Sequence, residues 1–176
     1  MNSKYLIGLS REGPVYLVTV LDSKKLNLIN YFECSPECLG LEIQKRKLEK
    51  SKAGIVLDPS QTLIKELTDK PIKIPNYYFA EYLTQRLYQE QGIDPKQWVM
   101  DFEKNLNKPG YLIYLAKRQE IKFLEKKIQD SFLDPVLAEP ELVSQSRFDF
   151  FKNINIPERF YLSASVAMGI KKRIKI

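Results

Sequence analysis

Histidine is missing from the chain of 176 residues. That removes the commonest general base, and with it the Ser-His-Asp and Cys-His pairings. Glycine is scarce, at 7 residues, and neither GxxxxGK[ST] nor GxGxxG occurs, so no phosphate-cradling loop is readable. Cys34 and Cys38 are the only cysteines. They are too few for a disulfide framework and, without histidine, for a four-ligand zinc site. They read as reduced thiols. Long apolar runs are missing too: no stretch approaches the ~20 residues of a spanning helix. Met1-Asn2-Ser3-Lys4 leads into too short an apolar stretch for a secretory signal. These absences predict a cytoplasmic protein of one domain or two small subdomains, without cofactor or metal.

What the chain does have is ordinary globular composition and an excess of positive charge. Hydrophobic residues make up 44% and aromatics 11%, too apolar for disorder. The formal charge is +6, from 28 basic and 22 acidic residues. One basic cluster is Lys45-Arg46-Lys47 with Lys50 and Lys52, and a second is Lys171-Lys172-Arg173 with Lys175. Each suits a nucleic acid backbone, an anionic membrane surface or a solvated face. Asp101 and Glu103 share a strand face, and Asp58 follows a buried strand, where an Asp-Pro pair also makes a turn. Nothing assembles around these acids, so an enzyme is not expected.

Periodicity predicts strands at Tyr5–Leu9, Val15–Leu21 and Leu26–Phe32, joined by the turns Gly13-Pro14 and Asp22–Lys25 as an antiparallel meander. Residues 36–52 read as a polar, basic helix. Ala53–Leu57 is apolar throughout, as in a strand buried on both faces, and Gln61–Leu67 reads as the next strand. Phe79, Leu83 and Leu87 recur at helical spacing over 76–91, with Pro75 at the start and Gly92 past the end. Strands follow at Trp98–Phe102 and Tyr111–Leu115, separated by the turn Lys108-Pro109-Gly110. A helix over 118–131 carries Ile121, Leu124 and Ile128 on one face. Pro135–Pro140 is a short strand. Phe160–Ile170 is apolar with small residues and suits a closely packed helix or strand. The aromatic run containing Tyr77, Tyr78 and Tyr82 lies on the helix without basic neighbours. It reads as a contact surface for a subdomain or partner rather than a nucleic-acid platform.

The order of these segments resembles PilM, the actin-like inner-membrane assembly protein of type IV pili and competence systems. Ile55–Leu63 is similar to the strand, break and strand that open that family's inserted subdomain. The helix at 76–91, Gly92-Ile93-Asp94-Pro95, the strand Trp98–Phe102 and Tyr111–Arg118 follow in the family's order. Asp134–Glu141 resembles the strand closing the subdomain, and Leu162–Ile170 the family's last helix. The resemblance implies an α/β, actin-like (ribonuclease H-like) subdomain at 1–57 and 142–176, with an inserted small α/β subdomain at 58–141. It implies a scaffold of pilus assembly or DNA uptake on the cytoplasmic face of the inner membrane. That scaffold would bind the cytosolic peptide of a PilN-like single-pass protein, through a groove beside the inserted subdomain and with Tyr77, Tyr78 and Tyr82 as contacts.

The family's nucleotide turn would fall on Gly8, Ser10 and Gly13, with Ser10 where an Asp is expected. Too few residues lie between Glu141 and Phe160 for the opposing half of a nucleotide cleft. The chain thus reads as a shortened member in which ATP with magnesium is disfavoured. Lys171, Lys172 and Arg173 are candidates for contact with the membrane or an anion. The related cytosolic domain of a type II secretion protein is the near variant, although such a protein continues into a transmembrane helix that is missing up to Ile176. A small basic nucleic-acid-binding protein is the alternative from another class.

Overall fold

The computed structural model describes residues 3–67, 76–104, 109–151 and 154–173, with backbone alone at 76, 77, 172 and 173. The predicted Pro75 and Lys108, and Lys175 of the basic tail, lie outside the described residues. Contacts divide the chain into two compact units: residues 1–58 with 123–176, and Pro59–Lys122, with the second boundary inside a helix.

The first unit is built on a five-stranded sheet. β1 (Tyr5–Glu12), β2 (Val15–Asp22) and β3 (Leu28–Cys34) form the meander; β4 (Lys52–Leu57) and β8 (Asp134–Pro140) complete the order β3-β2-β1-β4-β8. β1 pairs antiparallel with β2 and parallel with β4, which pairs parallel with β8. Successive side chains of a strand point to opposite faces, and β1 obeys this. Ile7 and Leu9 join a core with Leu39, Ile43 and Ile128, under α1 (Leu39–Lys45) and the end of α3 (Arg118–Asp130). Leu6 joins the opposite core with Phe151, Ala164, Ala167 and Ile170, under α5 (Phe148–Phe151) and α6 (Tyr161–Arg173). A short helix α4 (Glu141–Gln145) follows β8.

The second unit has a three-stranded antiparallel sheet, order β5-β7-β6, from β5 (Thr62–Leu67), β6 (Trp98–Lys104) and β7 (Tyr111–Lys117). One face carries α2 (Asn76–Gln91), whose Leu83 and Leu87 pack on Ile113 and Leu115. Gly92 ends α2 at φ 65°. Its N–H returns to the Tyr88 carbonyl at 3.0 Å and that of Ile93 to Leu87 at 3.3 Å, a closure that a left-handed glycine permits.

Four expectations are corrected. The helix over 36–52 is only Leu39–Lys45, with Lys47 and Lys50 at positive φ. β3 starts later than Leu26, which is itself left-handed at φ 60°. Asp134–Pro140 does not close the inserted unit: it pairs with β4 in the five-stranded sheet, so contacts place residues 123–141 with the first unit rather than in a subdomain of 58–141. The short helices α4 and α5 were not expected.

Candidate partner-binding site

The expected nucleotide residues are placed apart by a strand longer than Tyr5–Leu9. β1 runs through Glu12, so Gly8 and Ser10 lie inside it, opposite Thr19 and Leu17 of β2. Gly13 sits in the exposed hairpin turn with Pro14, at φ 57°. Gly8 is explained by packing: a Cβ there would lie 1.7 Å from the Ser163 carbonyl oxygen of α6. Only the missing side chain lets that helix touch the strand backbone. Across the seam Thr19 and Ser163 hydroxyls share a hydrogen bond at 2.7 Å, and Ser163 Oγ donates to the Phe160 carbonyl at 2.9 Å. Ser10 is 1% exposed and its Oγ has no hydrogen-bond partner.

At the end of β8 stands a buried charge that sequence reasoning missed. Glu139 is 2% exposed. Its carboxylate takes both ends of the Arg147 guanidinium, with the Nη2 contact at 3.2 Å, and the Ser144 hydroxyl donates to it at 2.6 Å. Arg147 Nη1 also donates to the Ser165 carbonyl at 3.3 Å, and Ser165 Oγ donates to Ser144 O. Gly169 admits this cluster, since a Cβ there would meet both Arg147 and Glu139 at 3.1 Å. Both Glu139 oxygens have partners within the cluster, so it pins α4 and β8 to α6. An acid in the apolar stretch Pro135–Pro140 was the available signal.

The aromatic candidates of α2 separate by face. Tyr78 is 54% exposed. Tyr82 turns inward beside Phe79, with ring centroids 6.2 Å apart, and its hydroxyl accepts from Arg86 at 3.1 Å. The Tyr77 side chain lies outside the described residues. Of the basic tail, Lys171 Nζ donates to the Lys24 carbonyl; the side chains of Lys172 and Arg173 also lie outside the description.

Among the described residues, a feature shaped to receive a ligand lies in the second unit. α2 presents Ala80 and Thr84 toward β6, an edge strand of the described sheet. Between them lies a slot of about 320 Å3, lined also by Leu87, Trp98, Met100 and Leu115. Small residues one turn apart on the helix leave space that larger ones would fill. Thr84 Oγ1 is tied back to the Ala80 carbonyl at 2.8 Å, so the slot wall is apolar in character. Arg118 braces the end by donating to the carbonyls of Lys96 at 3.2 Å and of Pro95 and Trp98 at 3.1 Å. An edge strand beside an apolar slot has the two elements that an extended peptide uses: main-chain pairing and a pocket for alternate side chains. On the opposite sheet face, the Tyr114 hydroxyl bonds Glu103; burial, then that bond, raises its pKa.

No family model and no curated protein matches the chain. Among solved structures it is similar to the PilM-PilN type IV pilus biogenesis complex, at a TM-score of 0.62 and 14% identity over 79% of this chain and 48% of that one. It is also similar to the cytoplasmic domain of EpsL, an inner membrane component of the type II secretion system of Vibrio cholerae. There the TM-score is 0.58 at 13% identity, over 78% of this chain and 57% of that one. The chain therefore spans about half the length of the solved structures it matches. At these identities the likeness is one of fold: a mixed α/β chain of the actin-like class, with a smaller α/β unit inserted in it. No described helix is long and apolar enough to cross a membrane.

Proposed function

We propose that this protein is a non-catalytic scaffold on the cytoplasmic face of the inner membrane, binding the cytosolic peptide of a PilN-like single-pass protein in a pilus, DNA-uptake or secretion assembly. The observation that carries the reading is the slot between α2 and the edge of β6. Capture of an extended peptide needs a groove and a strand edge and no chemistry. The fold likeness to a PilM-PilN complex supports it, and the likeness to EpsL supports the secretion variant equally.

The reading includes no nucleotide. Ser10 lies within a strand, and the turn after it is a two-residue hairpin. The test is calorimetry of the full chain with synthetic cytosolic N-terminal peptides of single-pass pilus and secretion proteins from the same genome. One peptide is expected to bind with a Kd of about 1 μM, near −8 kcal/mol, and which peptide binds separates pilus from secretion. If no such peptide binds, or if ATP with magnesium gives clear heat of binding, the proposal fails.

A further inference from the structure

The geometry points to a second surface: the end of the first unit where β1 and β4 begin docks on an anionic lipid bilayer. Four separate segments bring lysines together there. Lys4 precedes β1, and its carbonyl accepts the Ser23 N–H at 3.0 Å. Asp22 Oδ1 accepts the backbone N–H of Lys24 at 2.9 Å and of Lys25 at 2.7 Å, fixing a turn on which both lysines are exposed. Lys171, where α6 leaves the core, donates to the Lys24 carbonyl. Lys52 opens β4 in register with Leu6, and its N–H reaches Ser3 Oγ at 3.4 Å.

Asp22 and Asp134, the register partner of Lys52, stand at this end, and the segment leading into β4 adds Lys50 and Glu49, so lysines outnumber carboxylates there. Asp22 is engaged by the turn, whose backbone N–H groups of Lys25 and Lys24 hold its pKa low. The opposite end of the same sheet is neutralised instead: Arg159 bridges Glu12 at 2.6 Å and Glu33 at 2.8 Å. The unit is therefore polarised along its strands.

A bilayer rewards such a patch by charge alone, at roughly fivefold in partitioning per lysine near an anionic surface. A single-stranded nucleic acid would also want exposed aromatic rings among the cations. Tyr5 is packed against the core, with the Lys4 ammonium 5.0 Å from its centre, and the exposed ring near the patch is Phe132, just before β8. A cavity of about 210 Å3 in this unit is lined by Leu9 of β1 and Tyr16 of β2, toward the far end of these strands. Positive charge gathered from several turns, with one exposed ring beside it, fits lipid headgroups better than a stacking platform for bases.

The test is co-sedimentation of the full chain with phosphatidylglycerol–phosphatidylcholine vesicles against pure phosphatidylcholine. Binding is expected to the anionic vesicles only and to fall with added salt. Lys24→Glu/Lys25→Glu should weaken it by about 25-fold or more, and Lys24→Gln/Lys25→Gln somewhat less. Both pairs are exposed, so melting is expected to stay unchanged. Lys45→Glu/Lys47→Glu, on and just after α1, should leave vesicle binding largely intact. The inference is overturned by failure to bind anionic vesicles, or by equal loss in the α1 variant. It is equally overturned if the chain binds duplex DNA or RNA more tightly than vesicles and loses that binding in Lys24→Glu/Lys25→Glu. Peptide capture by the Pro59–Lys122 unit is expected to survive all these changes, so the two readings fail separately.

Discussion

Both units lay a helix carrying small residues across a sheet, with opposite results. In the first, the Ser163 and Ala167 backbone of α6 meets Gly8 of β1, so the backbones come into contact, and Gly54 of β4 lies against the Val166 and Ile170 side chains. In the second, Ala80 and Thr84 of α2 face Trp98 and Met100, and a slot remains. Small residues on one element alone hold space open; small residues on both close it. Burial follows the same division. Every residue from Ser163 to Ile170 is buried, whereas α2 buries only Leu83 and Leu87 among its described side chains. The closed seam is a place to test stability, and the open one a place to test binding.

The comparison breaks first at Gly8. Gly8→Ala puts a carbon 1.7 Å from the Ser163 carbonyl oxygen, a backbone atom that moves only if α6 moves. A loss above about 4 kcal/mol is expected, the range of rare, diagnostic substitutions, read as a lowered urea midpoint. Gly54→Ala is a milder version, since its added carbon meets a Val166 methyl at 3.0 Å rather than backbone. If Gly8→Ala were neutral, the contact seam would be wrong.

Next comes Arg147→Met, which leaves Glu139 buried without its countercharge. A loss of about 3 kcal/mol is expected in urea unfolding. Glu139→Leu/Arg147→Met should recover much of it, because an apolar pair carries no desolvation penalty. Recovery would show that the ion pair selects a structure more than it stabilises one.

A smaller effect is tied to pH. Burial first, then nearby Glu42, raises the Cys34 thiol from 9.0 to about 11. The folded chain therefore holds that proton more tightly than the unfolded chain. This contribution is full below pH 9 and is lost as pH rises toward 11. Cys34 lies in the core of the first unit, and residues 59–122 contain no cysteine. Urea midpoints taken upward from pH 9 should therefore fall in wild type and fall less in Cys34→Val, where buried Tyr16, its pKa also raised by burial, still contributes in the same direction. At neutral pH a thiol reagent should label exposed Cys38 at once and Cys34 slowly.

Much of the architecture was legible from the sequence because local periodicity states it. The strands from Val15, Ala53 and Tyr111 and the helices at 76–91 and 118–130 stand nearly as expected. What stayed hidden depends on partners remote in the chain. Gly8 looked like part of a phosphate turn because α6, which explains it, lies more than 150 residues away. The strand at Asp134 was assigned to the wrong unit because parallel pairing with β4 leaves no local signature. In the site, the aromatic residues of α2 drew attention, while the slot depends on Ala80 and Thr84, which are unremarkable as letters.

The smallest expected effect on stability is the most informative about function. Ala80→Leu adds bulk to the slot without displacing packed atoms, since the wall there opens onto about 320 Å3 of empty space. Surface and cavity-filling changes of this kind usually move stability by about 0.5 kcal/mol or slightly raise it. Peptide binding, however, depends on that space and should fall below detection. Thr84→Val, nearly the same size, should leave both quantities close to wild type, because its hydroxyl is already satisfied by the Ala80 carbonyl. A filled slot that still binds the peptide would move the binding surface elsewhere on the unit. A filled slot that destabilises the fold would show the space to be closed in solution, erasing the difference between the two seams.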